Sequence, residues 1–476
     1  MVIDGSIFVA DGRNTIYSID GSTGRLRWRF GAKLEGDGRF SLIHTLNSNG
    51  GLVYMVASNC VLYGVDPASG NVRFQADGIL PDAKGYSGRT APSFYRRTAI
   101  MAAATAYEAT ARGCVASCDL DSKKVAWRWF SVPPAVAGPK NWDIEAHKGN
   151  MRPYPNDWGD SDLSGRGGVW SQSAVDEGAG RVYFGTGDPD LFMYEGSRVP
   201  GPLLYTDCIV SLDSKTGEMV WYHQTTPHDL VSWDLCWSVI IAEVEIDGEK
   251  RKAIIGGTKG NHVYVLDAAT GKPLYEPVRV GHNTALLNAN KGNDADMQSS
   301  LKPGIYCPGH GGGINAPPAF GYNTIYVATQ RIEQRAEYYD GEYRGRKVRS
   351  VKLTNTSSPQ YSTIYAIDAG RGEVKWTFFI PNLYHGAGLT VSGGVTYGID
   401  RKGTLYMLDA MNGELLRSEA LGGVGTAGVS IAASKGGEMC LFVPVSGTEG
   451  SPNKLLCFEL PQIDARRKSS PASRAQ

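Results

Sequence analysis

Tyr17-Ser18-Ile19-Asp20-Gly21-Ser22-Thr23-Gly24-Arg25-Leu26-Arg27-Trp28 decides the fold of this chain. It reads as a short apolar strand, an Asp that opens a turn, a Gly that closes it, and a second strand ending in an aromatic residue. The same pattern returns at 63–74, 116–127, 210–221, 264–275, 365–376 and 406–417. Four copies end in Trp (Trp28, Trp127, Trp221, Trp376) and two in another aromatic (Phe74, Tyr275). One such unit cannot bury its own faces, so an array must pack unit against unit. All-β units repeated this often predict a β-propeller, in which ligand sites lie on the axis where the loops of the blades converge.

The Asp of successive repeats falls at 20, 66, 119, 213, 267, 368 and 409. Most of these gaps fit one four-stranded blade. The gaps 119–213 and 267–368 are about twice as long; they hold either a degenerate blade or insertions, and insertions are the favoured reading. Segments 131–168 and 279–313 are rich in Pro, Gly, Asp and Asn and read as long loops. Segment 436–460 has the strand content of a further blade without the turn motif. The expected organisation is a single propeller over 1–463 followed by a disordered tail, 464–476.

Composition narrows the function. Forty-eight basic residues balance 48 acidic ones, which argues against a nucleic-acid binder. No apolar run is long enough for a transmembrane helix. The start, Met1 to Ala10, lacks the charged and apolar regions of a signal peptide and reads as a strand. Eight cysteines include no C-x-x-C zinc pair and no C-x-x-C-H haem site. Cys114 and Cys118 stand about 13 Å apart if they share a strand, too far for a disulfide, and are expected to be separate core thiols. Gly423-Val424-Gly425-Thr426-Ala427-Gly428 matches a dinucleotide fingerprint, but Val429-Ser430-Ile431 continues as strand where that fingerprint needs a helix.

The repeat resembles the blade motif of pyrroloquinoline quinone (PQQ) proteins, and local motifs extend the resemblance to PQQ-dependent alcohol dehydrogenases. Gly185-Thr186-Gly187-Asp188-Pro189 is similar to their Gly-Thr-Gly-Asn-Pro. Gln224 to Asp234 is similar to their Gln-x-Thr-Pro-His-Asp-x-Trp-Asp, with two extra residues before Trp233-Asp234. The resemblance implies an all-β, eight-bladed propeller of four-stranded antiparallel blades with long inter-strand loops. It implies Glu108, Asp188 and Asp234 as metal ligands and Asp234 as the base that takes the alcohol proton. It places Trp170 as the ring on which PQQ stacks and Lys259 as the cation at the quinone oxygens. Thr105, Arg112, Asn315 and Tyr384 fall on further cofactor contacts.

These residue types suit the chemistry. A hard cation held by carboxylate oxygens polarises the quinone carbonyl, and a carboxylate at the reacting carbon accepts a proton as hydride leaves. Singly, Asp188 reads first as a turn acid, Trp170 as core and Lys259 as a surface cation; together they read as a site. Calcium is the expected metal. Asp188 in place of Asn keeps a lanthanide open, although Cys236 stands where lanthanide-type members carry an extra Asp. Departures from the pattern are the missing Cys-Cys pair near Asp37–Phe40, the first repeat starting so near residue 1 that a Glu and a closing strand have no counterpart, and Tyr384 in place of a Trp. The expected function is oxidation of an alcohol, aldehyde or sugar outside the cytoplasmic membrane (periplasmic or extracellular), with electrons passing to an acceptor such as a cytochrome c. The competing expectation is a non-catalytic propeller that acts as a binding or assembly scaffold.

Overall fold

A computed structural model describes residues 1–34, 45–81, 85–88, 90–105, 111–132, 157–158, 166–189, 201–229, 231–235, 237–283, 304–343, 346–384, 387–425, 427–433, 437–448 and 452–459. The expected tail, Glu108 and most of the 131–168 loop lie outside these residues. Among the described residues there are only strands, turns and bends, with no helix. Among the described residues no helix is long and apolar enough to cross a membrane.

The strands form antiparallel meanders in chain order. The first sheet is Val2–Ile3, Ser6–Ala10, Thr15–Asp20 and Leu26–Gly31. The second is Asn47–Asn49, Leu52–Val56, Leu62–Val65 and Val72–Ala76. The third runs Ser93–Tyr95, Thr98–Thr105, Cys114–Asp119 and Val125–Phe130, the fourth Ala174–Asp176, Arg181–Gly185, Cys208–Asp213 and Met219–Gln224. The fifth is Ile240–Ile246, Glu249–Gly257, His262–Asp267 and Val278–Arg279. The sixth is built on Thr324–Arg331, Tyr361–Asp368 and Glu373–Ile380, the seventh on Thr390–Ser392, Val395–Ile399, Thr404–Asp409 and Leu415–Ala420. The eighth has three strands, Ser430–Ala433, Met439–Val445 and Lys454–Glu459.

The long gap 267–368 is an insertion and not a degenerate repeat. It carries a ninth, three-stranded sheet (Gly304–Tyr306, Gln334–Tyr343, Arg346–Asn355) inserted around the second strand of the sixth. The Rossmann alternative is absent too: Ser430–Ala433 is a strand.

Each repeat turn is built by its own residues. Asp20 Oδ1 accepts the N–H groups of Ser22 and Thr23, and Asp66, Asp119, Asp213, Asp267, Asp368 and Asp409 do the same two and three residues on. This is the Asx turn, in which a short acid replaces a backbone acceptor. The aromatic at the end of one repeat then sits on the turn of the next sheet. The indole N–H of Trp28, Trp127, Trp221 and Trp376 donates to Pro67, Ser214, Ala268 and Ala410 carbonyls at 3.0–3.1 Å. The Tyr275 hydroxyl donates to Ala369 at 3.0 Å.

Apolar clusters join each sheet to the next: Phe8 to Val53, Tyr54 to Met101, Ile100 to Val182, Tyr183 to Ile254, Ile255 to Ile325, and Tyr326 through Tyr397 to Leu441. A last cluster, Cys440 and Phe442 with Ile7, joins the eighth sheet to the first and closes the ring. Cys114 and Cys118 are separate buried thiols, as expected. A cavity of about 710 Å³ is lined by Val9, Thr45, Thr90, Trp170, Trp237, Pro317, Leu389 and Val429, each at one of eight successive sheets, so it lies on the axis.

Candidate active site

The expected site residues sit where strands end at one rim of the ring. Thr105 ends the second strand of the third sheet. Asp188 follows the second strand of the fourth and Lys259 that of the fifth. Trp170 and Asp234 lie on connections between sheets, and Asn315 follows Gly313–Ile314, a short strand at the edge of the sixth sheet. The approach to Trp170 is threaded between neighbours: Arg166 bridges Arg112 on one side and Pro189 on the other, and Gly187 N–H donates to Gly168 O at 2.9 Å. A Cβ on Gly113 would stand 1.8 Å from Gly167 O, so only glycine permits that crossing.

Asp234 is fully buried and held from every side. Its Oδ1 accepts the Asp188 N–H at 2.9 Å. Its Oδ2 accepts the Ser232 hydroxyl at 3.2 Å and pairs with the Lys259 ammonium. Lys259 N–H also donates to the Asp234 carbonyl at 3.2 Å. A Cβ on Gly187 would lie 2.9 Å from Asp234 Oδ1, so this glycine makes room for the carboxylate. The Lys259 Nζ stands 6.0 Å from the centre of the Trp170 ring, and that ring lines the axial cavity. Burial raises the Asp234 pKa, but the charge and hydrogen bond of Lys259 outweigh it and hold the carboxylate below its usual range.

The motif before Asp234 is the frame that holds it. Asp229 accepts the N–H of Val231 at 2.7 Å and of Trp233 at 2.5 Å. His228 Nδ1 meets Gly201 O at 2.7 Å, and the Trp233 indole donates to Pro308 O at 3.1 Å. Arg166, Leu203, Asp207, His228 and Ser232, all around this one site, have left-handed backbone with φ of 66°, 65°, 52°, 54° and 59°. Non-glycine residues adopt that region at a cost, and such residues gather at functional sites.

Asp188 is also buried; its Oδ1 pairs with Arg166 Nη2 at 2.9 Å and its Oδ2 has no hydrogen-bond partner. Burial and then the Asp234 charge push it up to about 7, against Arg166 and Lys259. Asp207 is fully buried with neither oxygen hydrogen-bonded. Burial, then Asp229, Asp234 and Asp188, push it well above the carboxylate range. Sequence reasoning missed Arg166 and Asp207. Arg166 had a signal, lying in Arg-Gly-Gly-Val-Trp just ahead of Trp170; Asp207 had none.

The other expected contacts divide. Thr105 is buried against Gly168, beside the approach to Trp170. Arg112 donates through Nε to Val132 O at 2.6 Å and lies 4.1 Å over the Phe130 ring. Asn315 Nδ2 donates to Gly311 O at 3.1 Å and to Gly312 O. Tyr384 stands apart. Its ring is buried in the packing between the sixth and seventh sheets, against Gly398. Among the described residues no group of three His, Cys, Asp or Glu side chains is placed to hold a metal ion. Asp188 and Asp234 are brought together; Glu108, the third expected ligand, lies outside the described residues.

A family model described as glucose/ethanol/alcohol dehydrogenase, β-propeller domain, matches residues 1–281. The chain is 25% identical over 441 residues to a quinohemoprotein alcohol dehydrogenase of Comamonas testosteroni, covering 87% of this chain and 62% of that protein. It is 24% identical to the dehydrogenase subunit of a Gluconobacter oxydans alcohol dehydrogenase (quinone), covering 88% of this chain and 61% of the relative. The chain thus spans about three-fifths of the length of these relatives. Among solved structures, the Comamonas testosteroni enzyme superposes with a TM-score of 0.79 at 22% identity, over 96% of this chain and 73% of that one. A europium-containing methanol dehydrogenase gives 0.77 at 18%, over 94% of this chain and 82% of that one. These superpositions establish the propeller fold.

Proposed function

This chain belongs to the glucose/ethanol/alcohol dehydrogenase β-propeller family, and on that premise we propose that it is a quinoprotein dehydrogenase that oxidises an alcohol with PQQ and a bound cation. The observation that carries the reading is the buried Asp234–Lys259 pair beside the Trp170 ring at the axial cavity.

The residues present fit the two absent groups. A buried carboxylate oxygen without a partner is costly, and Asp188 Oδ2 is such an atom next to Asp234; a hard cation satisfies both. A planar, anionic cofactor is matched by an indole face on the cavity and an ammonium beside it. Asp188 and Asp234, with Glu108, would hold the cation, and calcium remains the first expectation with a lanthanide as the alternative. Trp170 would support the PQQ ring, Lys259 would meet its quinone oxygens, and Thr105, Arg112 and Asn315 are the proposed further contacts. Tyr384, buried between the sixth and seventh sheets, is the remaining proposed contact.

When bound, PQQ supplies the hydride acceptor, with the cation as Lewis acid. The chain supplies position and a proton acceptor. Lys259 keeps Asp234 ionised inside the protein, so the carboxylate is ready to take the alcohol O–H proton. Ser232 and the Asp188 N–H fix its orientation. Electron transfer to an external acceptor such as a cytochrome c, and a periplasmic or extracellular location, are proposed from the family relationship.

Titration of the cofactor-free protein with PQQ in calcium tests the reading. Stoichiometric, calcium-dependent binding is expected, with loss in Asp234→Ala. A folded wild-type protein that binds no PQQ with calcium or a lanthanide would overturn it and leave a propeller scaffold.

A further inference from the structure

Seven free cysteines lie among the described residues; six are buried and Cys457 is exposed. Cys457 stands on Lys454–Glu459, the third strand of the eighth sheet, antiparallel to Met439–Val445. The register sets Cys440 opposite Glu459 and Phe442 opposite Cys457. Opposite residues share one face of a sheet, and so do residues two apart on a strand. Cys440 and Cys457 are therefore diagonal neighbours on one face. Burial first, and then the Cys440 thiol beside it, raise the Cys457 thiol to about 11. That face is also the one that closes the ring, since Cys440 and Phe442 pack against Ile7 of the first sheet with Leu455 at the margin. Between the two cysteines the chain turns at the axial cavity, which Val445, Ser446, Asn453 and Lys454 line. The outer strand of this hairpin is held on one side only: among the described residues Lys454–Glu459 pairs with Met439–Val445 and no other strand.

We propose that Cys440 and Cys457 are an oxidisable pair whose disulfide staples the outer strand of the eighth sheet to the junction that closes the ring. Neither sulfur lines the axial cavity, so the pair stands outside the cofactor chemistry. The step is thiol–disulfide exchange with a small-molecule disulfide as oxidant. The exposed Cys457 thiolate attacks one sulfur of the oxidant and displaces the other as a thiolate. The Cys440 thiolate then attacks Cys457 Sγ and displaces the second. One S–S bond forms in the protein, the oxidant's S–S bond is reduced to two thiols, and those thiols take the two protons. A diagonal pair has Cα atoms about 7–8 Å apart, and a disulfide needs less than about 7 Å. Closing the link thus asks for a small shift of a strand with a single neighbour. Such links persist outside the reducing cytoplasm, the location proposed above. A raised thiol is a slow nucleophile, which suits a structural link and not a fast sensor.

Folded, reduced wild type is exposed to excess oxidised glutathione, blocked with N-ethylmaleimide, digested with trypsin and mapped by mass spectrometry. Trypsin cuts at Lys454 and leaves Cys440 in residues 436–454 and Cys457 in 455–466. The expected result is a linked pair of these two peptides that a reductant separates. The oxidised protein is expected to melt about 2–4 °C above the reduced protein, because the link restricts the unfolded chain. Cys457→Ser, at an exposed position, is expected to fold, to give no linked pair and to melt alike with and without oxidant. Cys440→Ala is expected to leave Cys457 carrying glutathione. Wild type in which both thiols still take the blocking reagent, or in which Cys457 keeps glutathione and never links to Cys440, would overturn the pair. A link that leaves the melting temperature unchanged, or a rise that persists in Cys457→Ser, would overturn its role as a staple.

Discussion

Asp234 and Lys259 offset each other's charge in the interior. Removing one partner of a buried pair leaves an uncompensated charge, which costs about 3–5 kcal/mol, whereas removing both is far milder. Lys259→Met is therefore expected to destabilise the protein by roughly that amount, and Asp234→Asn/Lys259→Met to recover most of it, as read from urea unfolding. Since Lys259 holds the Asp234 pKa low, the contribution of the pair is present above the unfolded carboxylate pKa and is lost as pH falls. A second, half-buried acid has the opposite sign. Asp157 accepts the N–H groups of Leu203 and Leu204 at 2.6 and 2.7 Å, but burial outweighs them and pushes it up to about 7. Its stabilising share is fully present below about pH 4 and fades as pH rises toward 7. Asp157→Asn is expected to flatten that slope in thermal melts between these values. Asp234 and Lys259 were legible in the sequence because their motifs pair a chemical type with a fixed spacing. Asp207 was not, because it stands in the turn just before an ordinary repeat strand and only the fold brings it against Gly187.

At the scale of the turn the sequence says nearly everything, since both ingredients are local: an Asp that caps two amides and a Gly at positive φ. The contact made by that glycine is not local, and it separates two substitutions that look alike. Gly24 and Gly271 have φ of 68° and 70°. An added Cβ meets nothing within 4 Å at Gly24, but at Gly271 it would stand 2.5 Å from the Trp221 ring. Gly24→Ala is expected to cost only the backbone term, about 1–2 kcal/mol. Gly271→Ala must also lift Trp221, a buried side chain whose indole donates to Ala268, and is expected to cost about 1–3 kcal/mol more through overpacking. The third repeat tests the same logic in reverse. Lys123 holds φ 59° where other repeats have Gly, so Lys123→Gly is expected to leave the melting temperature equal or higher. The hairpin Gln334–Tyr343 with Arg346–Asn355 escaped the sequence reading. Its strands mix charged and aromatic residues without the repeat motif, so only the pairing itself marks them as strands.

The ring is a property of the whole chain, because its last junction joins residues more than 400 positions apart. Repeat spacing gave the order of the sheets, yet nothing local in the eighth sheet, which lacks the turn motif, announces that it meets the first. Closure rests on a small apolar cluster, Ile7 with Cys440 and Phe442, ringed by half-buried Val2, Val9, Ile19, Ala432 and Leu455. Val9, Ile19 and Leu455 also line the axial cavity beside Trp170, so the junction and the proposed ligand chamber share a wall. Phe442→Ala is expected to remove about 3–5 kcal/mol, as for other large buried aromatics. The loss should not stay local: opening this junction lets the first and eighth sheets part and loosens the cavity wall opposite the site acids. PQQ binding should therefore weaken in Phe442→Ala, although Phe442 touches none of the proposed ligand residues. Phe74→Ala is the control, a buried ring at the junction of the second and third sheets that does not line the cavity. A comparable fall in stability with PQQ affinity intact in that control would tie the binding loss to closure of the ring. Equal binding loss in both variants would mean that the chamber senses global stability and not the final junction.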